Sequence, residues 1–189
     1  MKIGALKPAL ALFAFTAVSA LIVGFMQTVT YEPIRSQAET REREAIESLI
    51  PLHRAGTELD MGAEGLPGGT VYRVDESLDE NGETLGYVFF ARSSGYGGAV
   101  HMIVGIDTEG YIKGIRILEH SETPGIGTVI VGEAFRGQFD GLRAPVRRSI
   151  NPAGPSEIQS VAGATISVEA VLRAVNEAWD VFSAARLGE

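Results

Sequence analysis

From Ala9 to Met26 the chain is dominated by Ala, Leu, Phe, Val and Ile with no polar period, and Lys7 and Glu32 bracket about 24 residues without a charge. At about 1.5 Å per residue, roughly 20 of these span the roughly 30 Å hydrocarbon core of a bilayer. The pattern predicts a transmembrane helix over 8–30. Beyond it the chain turns polar. Pro33 suits a first helical turn, charge alternates from Glu39 to Glu44, and Pro51 ends the pattern, so a helical stalk is expected over 31–55. A glycine-rich loop over 56–69 follows. Thr70–Val74, Leu85–Ala91, Ala99–Ile106 and Tyr111–Leu118 are short runs rich in β-branched and aromatic residues, and they predict strands. Asp107-Thr108-Glu109-Gly110 folds the last two into a hairpin. A short helix is expected near Val129–Phe135 and a loop over 143–156, which holds Pro145, Pro152 and Pro155. From Val168 the apolar residues Val168, Val171, Leu172, Val175, Trp179 and Phe182 recur at helical spacing. Strands first and helix last argue an α+β fold: one transmembrane helix, then an antiparallel sheet with flanking helices over 56–189.

Charge orients this layout. Lys2 and Lys7 precede the apolar segment and acidic residues follow it. The excess of positive charge before the span puts residues 1–7 in the cytoplasm and the body of the chain outside. Val18-Ser19-Ala20 has the small residues of a signal-peptide cleavage site, but the apolar run continues through Met26, which favours a retained anchor. The alternating charges of the stalk suit a solvated helix, with a docking surface for other membrane subunits as the alternative.

Composition narrows the chemistry. The net charge is -8, and Arg147-Arg148 is the longest basic run, so a nucleic-acid surface is not expected. With no cysteine, the chain has no thiolate nucleophile, no Cys-ligated iron–sulfur cluster and no CxxCH haem attachment of its own. His53, His101 and His120 are far apart, without the spacing of a zinc site. Neither a GxSxG nucleophile elbow nor a GxGxxG nicotinamide fingerprint is present.

Three glycine-centred segments remain. Ser94-Gly95-Tyr96-Gly97-Gly98 lies between two strands, either as a flexible connection or as bare backbone against which a planar ligand can lie. Glu119-His120-Ser121-Glu122-Thr123-Pro124-Gly125-Ile126-Gly127 follows a strand, and its Thr-Pro-Gly favours a tight turn. His120 and Glu122 are its ionisable groups. Val161-Ala162-Gly163-Ala164-Thr165-Ile166-Ser167 leads small residues to a hydroxyl where a helix begins. A helix start leaves amide groups unpaired and partially positive, which suits a phosphate. Taken by itself, such a segment is more often an ordinary helix cap.

In order, spacing and strand context the three segments resemble the G subunit of the Rnf electron-transport complex and its relative, the C subunit of the sodium-pumping NADH:quinone reductase. The His-Ser-Glu-Thr-Pro-Gly-Ile-Gly stretch is the most specific part, and this compact form leans toward Rnf. The resemblance implies FMN joined through its phosphate to Thr165 by a separate flavin transferase outside the cytoplasm. It places Gly163 and Ala164 beside the phosphate and Glu122, Thr123, Gly125, Ile126 and Gly97 near the flavin. Gln159 and Ala162 stand where that family usually has Asp and Ser or Thr. The implied role is an electron carrier in a membrane ion-translocating ferredoxin:NAD⁺ oxidoreductase, alongside membrane and iron–sulfur subunits. The alternatives are the corresponding component of the NADH:quinone reductase and a membrane-tethered scaffold domain that has lost its flavin.

Overall fold

A computed structural model describes residues 6–50, 54–59 and 70–186. The chain divides into two units, Met1–Glu42 and Arg43–Glu189. The first is helical. Helix α1 runs Leu6–Leu49, and Pro8–Gln27 within it is long and apolar enough to cross a membrane, with none of that window buried against protein. The helix continues through Pro33, where the sequence predicts a fresh start. Between the apolar span and a segment rich in Glu, Arg, Ala and Gln, all strong helix formers, one missing N–H does not end it.

The second unit is built on a five-stranded antiparallel meander in the order β1-β2-β3-β4-β5: Arg54–Leu59, Val71–Leu78, Thr84–Ser94, Ala99–Asp107 and Ile112–His120. β1 lies where the sequence predicts the end of the stalk and a glycine-rich loop; residues 60–69 of that loop fall outside the described residues. Period-2 alternation gives the sheet two apolar faces. Phe89, Ala91, Val100, Met102, Val104, Ile106 and Ile115 face helix α3, Thr165–Arg186. Val88, Phe90 and Ile103 face the other way and pack with Ile46, Leu49 and Ile50 from the end of α1. Residues Met102–Ile106 of β4 are therefore all buried, which is why that run is apolar without interruption.

A seat for the end of α1 is cut by glycine. Gly105 pairs directly with Gly114 across β4 and β5. A Cβ at Gly114 would meet Leu49 at 3.0 Å, one at Gly105 would meet Leu49 at 3.2 Å, and one at Gly86 would meet Ile50 at 3.0 Å. A glycine inside a strand costs stability in itself, but here it allows another element to approach the sheet closely.

α3 carries the apolar stripe its sequence predicts, with Val168, Val171, Leu172, Val175 and Phe182 buried and Trp179 packed at the margin. Ala170, Ala174 and Ala178 are buried as well, and their small side chains let the helix lie close to the sheet. From this helix the buried Glu177 carboxylate accepts the amide N–H groups of Thr70 and Val71, fixing the start of β2. The short helix expected near Val129–Phe135 is a 3-10 turn, Gly127–Val131, followed by α2, Glu133–Arg136. The predicted loop over 143–156 holds β6, Arg147–Ser149, which pairs in parallel with β7, Glu157–Gln159.

Candidate functional site

The meander brings the three glycine segments to one end of the sheet. β4 runs antiparallel to both of its neighbours, so its first residues lie beside the last of β3 and of β5: Ser94 pairs with Ala99, and Val100 with His120. The 95–98 turn and the 121–127 loop are thus neighbours, and α3 begins against both.

Glu122 joins them. It is 5% exposed. Its Oε1 accepts the Tyr96 N–H at 2.8 Å, and its Oε2 accepts the Ser167 hydroxyl at 2.8 Å and the Gly97 N–H at 3.3 Å. The glycines make this possible. A Cβ on Gly95 or Gly127 would collide with the Glu122 carboxylate, and one on Gly97 with the Ser121 carbonyl. Bare backbone in the Ser94–Gly98 segment thus admits the neighbouring loop. His120 turns onto its own loop, its Nδ1 accepting the Glu122 N–H at 3.2 Å.

At the start of α3, Gly163 adopts φ +82°, a left-handed conformation that glycine takes without strain. The Ala164 N–H bonds the Val161 carbonyl and the Ala164 carbonyl accepts the Val168 N–H, so Ala164 stands at the cap position with no side chain to cap the helix. Among the described residues no protein acceptor meets the amides of Thr165, Ile166 and Ser167. The Thr165 side chain is exposed. Beside it lies a cavity of about 440 Å³ lined by Tyr96, Glu122, Thr123, Ile126, Gly127, Gly163, Thr165, Ile166 and Ser167.

Of the residues singled out from sequence, Thr165, Gly163, Glu122, Thr123 and Ile126 line this cavity. Ala164 is buried behind it. Gly125 forms the exposed turn at φ +79°, and Gly97 faces the groove along 92–99. Sequence reasoning missed Tyr96, Gly127, Ile166 and Ser167. All four lie within the three glycine-centred segments, and Ser167 carried the further signal of a second hydroxyl in the first turn of the helix. Gln159 ends β7, its backbone N–H donating to the Gln138 Oε1 at 2.7 Å, and Ala162 is exposed.

The features needed by a phosphate-bearing planar cofactor coincide here: open first-turn amides, a solvent-facing hydroxyl, and a cavity with the exposed apolar side chains Tyr96, Ile126 and Ile166. A larger groove of about 710 Å³ on α3 is lined by charged residues, including Arg147, Arg148, Glu169 and Arg173. Its Arg148 pairs with Glu169 at 3.0 Å, and it contains no helix start.

Residues 95–180 match the family model of the FMN-binding domain, and the fold and cavity define a protein of that class. A likeness to crystalline NqrC of Shewanella oneidensis, at a TM-score of 0.51 and 23% identity over 57% of this chain and 54% of that one, is a likeness of fold. The G subunit of the ion-translocating oxidoreductase complex of Pseudomonas aeruginosa is 30% identical over 193 residues, covering 96% of this chain and 90% of that protein. The G subunit of the Na⁺-translocating ferredoxin:NAD⁺ oxidoreductase complex of Acetobacterium woodii is 38% identical over 107 residues, covering 54% of this chain and 51% of that protein. The chain belongs to the family of G subunits of ion-translocating oxidoreductase complexes, the Rnf family that the glycine segments suggested.

Proposed function

We propose that this chain is the FMN-carrying, electron-transferring subunit of a membrane-bound ferredoxin:NAD⁺ oxidoreductase that drives ion export, with FMN joined through its phosphate to Thr165. The observation that carries this reading is the exposed Thr165 side chain at the uncapped start of α3, beside the cavity of an FMN-binding domain. Bound FMN supplies the redox chemistry, taking up and releasing electrons one or two at a time.

The chain's own residues attach and orient. Thr165 would hold the cofactor: its Oγ would bond to phosphorus as the transferase takes the hydroxyl proton and the phosphoanhydride bond of a flavin dinucleotide breaks, the nucleoside monophosphate leaving with the electron pair. The open amides of Thr165, Ile166 and Ser167 would then meet the phosphate, where the helix dipole favours negative charge. Gly163 leaves the approach free of a side chain, and Tyr96, Ile126 and Ile166 provide apolar surface at the cavity. A covalent link retains the cofactor outside the cytoplasm, where a dissociated flavin would be lost. Lys2 and Lys7 hold the N-terminus inside, Pro8–Gln27 crosses the membrane, and the domain works on the outer side. Iron–sulfur and nicotinamide chemistry belongs to partner subunits.

Expression with the transferase, followed by intact-protein mass spectrometry, tests this. The wild-type chain is expected to gain the mass of FMN less one water and Thr165→Val to gain nothing. A wild-type chain of unaltered mass would refute the linkage.

A further inference from the structure

We propose that Glu122 is the positioning residue of this site: its buried carboxylate clamps the 94–98 turn and the 121–127 loop to the first turn of α3, and so sets Thr165 in place for modification. The proposal rests on the reading of Thr165 given above. Burying a carboxylate is costly unless its oxygens are met by donors. Here three donors meet them, the Tyr96 N–H, the Gly97 N–H and the Ser167 hydroxyl, and none of them is a cation. The donors come from two segments and the carboxylate from a third, so one side chain touches all three glycine-centred segments.

The backbone is shaped around this group. Gly95 and Gly127 flank the carboxylate where any Cβ would strike it. Both glycines are explained by Glu122 and neither needs a ligand to explain it. Ser167 lies two residues beyond Thr165 in the same helical turn, so the Ser167–Glu122 bond at 2.8 Å fixes the turn that presents the Thr165 hydroxyl. Glu122 acts through these neighbours, by holding the uncapped turn of α3 still beside the two loops.

The test uses the full-length chain in detergent before modification, as wild type, Ser167→Ala, Ser167→Thr and Glu122→Gln. Amide hydrogen exchange is followed at Tyr96 and Gly97, thermal unfolding is recorded, and the rate of Thr165 modification is measured with the transferase and flavin adenine dinucleotide. Weakening the carboxylate's own hydrogen bonds in Glu122→Gln is expected to speed exchange at Tyr96 and Gly97 by about tenfold or more. Modification should slow by a similar factor in Glu122→Gln and in Ser167→Ala, also in Ser167→Ala chains whose thermal midpoint stays near that of wild type. Ser167→Thr, which keeps the hydroxyl, is expected to restore the modification rate. Unchanged exchange in Glu122→Gln or an unchanged modification rate in Ser167→Ala overturns the clamp and leaves the reading of Thr165 standing. A wild-type chain that the transferase leaves unmodified overturns that reading and the clamp's purpose with it, while its exchange data still judge the hydrogen bonds.

Discussion

At the scale of single residues, the site is organised by what is missing as much as by what is present. Ala164 stands at the cap of α3 without a capping oxygen, so the amides that follow are left for something else. Replacing Ala164 by Ser would supply that oxygen at the cap position, one residue before the unpaired amides. Ala164→Ser is therefore expected to stabilise the unmodified domain by about 1 kcal/mol in a denaturant titration and to slow modification of Thr165. Gly127→Ala is expected to act in the opposite sense on stability. Its Cβ would collide with the Glu122 carboxylate, and displacing packed atoms of this kind costs about 1–3 kcal/mol. The sequence singled out Thr165, Gly163 and the Glu122 loop, because small residues before a hydroxyl at a helix start have a local chemistry, and the fold brings them to one cavity. It did not reveal that Glu122 points inward, because its partners Tyr96, Gly97 and Ser167 come from distant parts of the chain and only the register of β3, β4 and β5 brings them together.

Among the elements, the end of α1 is seated on the sheet through Ile46, Leu49 and Ile50. Leu49 is 4% exposed, and Gly105 and Gly114 are hollowed to receive it. Leu49→Ala is expected to cost about 2–5 kcal/mol of unfolding free energy, the range for a leucine removed from a packed core. The β6–β7 pair makes a prediction in pH. The Ala153 N–H, then the Gly154 N–H, hold the Glu157 carboxyl below its ordinary value of 4.5. A depressed folded-state pKa means that this contribution to stability is complete above pH 4.5 and is lost as pH falls through the lower, folded value. Glu157→Gln should therefore flatten the stability curve below pH 4.5, read by urea titration at several pH values. The strands β2 to β5 were legible because alternation and turn residues agree over each of them. β1, β6 and β7 were not. β6 and β7 are short and lie in or beside a segment with three prolines, β1 falls where a stalk and a glycine-rich loop are predicted, and all three exist as strands through the partners they meet. The stripe on α3 was legible, but not the alanines that bring the helix close, since alanine is apolar enough for either face.

For the whole molecule, a helix long and apolar enough to cross a membrane and an FMN-binding domain stand in one chain of the Rnf G-subunit family, as the proposed membrane-bound electron carrier requires. A retained anchor predicts that the mature protein begins before Ala20 and sediments with membranes after a carbonate wash; an N-terminus starting just after Ala20 would mean cleavage instead. The proposed placement of the domain on the outer side predicts that protease added to intact spheroplasts removes it. The decisive measurement is mass spectrometry of the tryptic peptide that contains Thr165, taken from the protein in its native membrane. A peptide heavier by FMN less one water, yellow and fragmenting at the threonine, is the predicted result. The same peptide with an unaltered threonine, from a colourless protein, would contradict it.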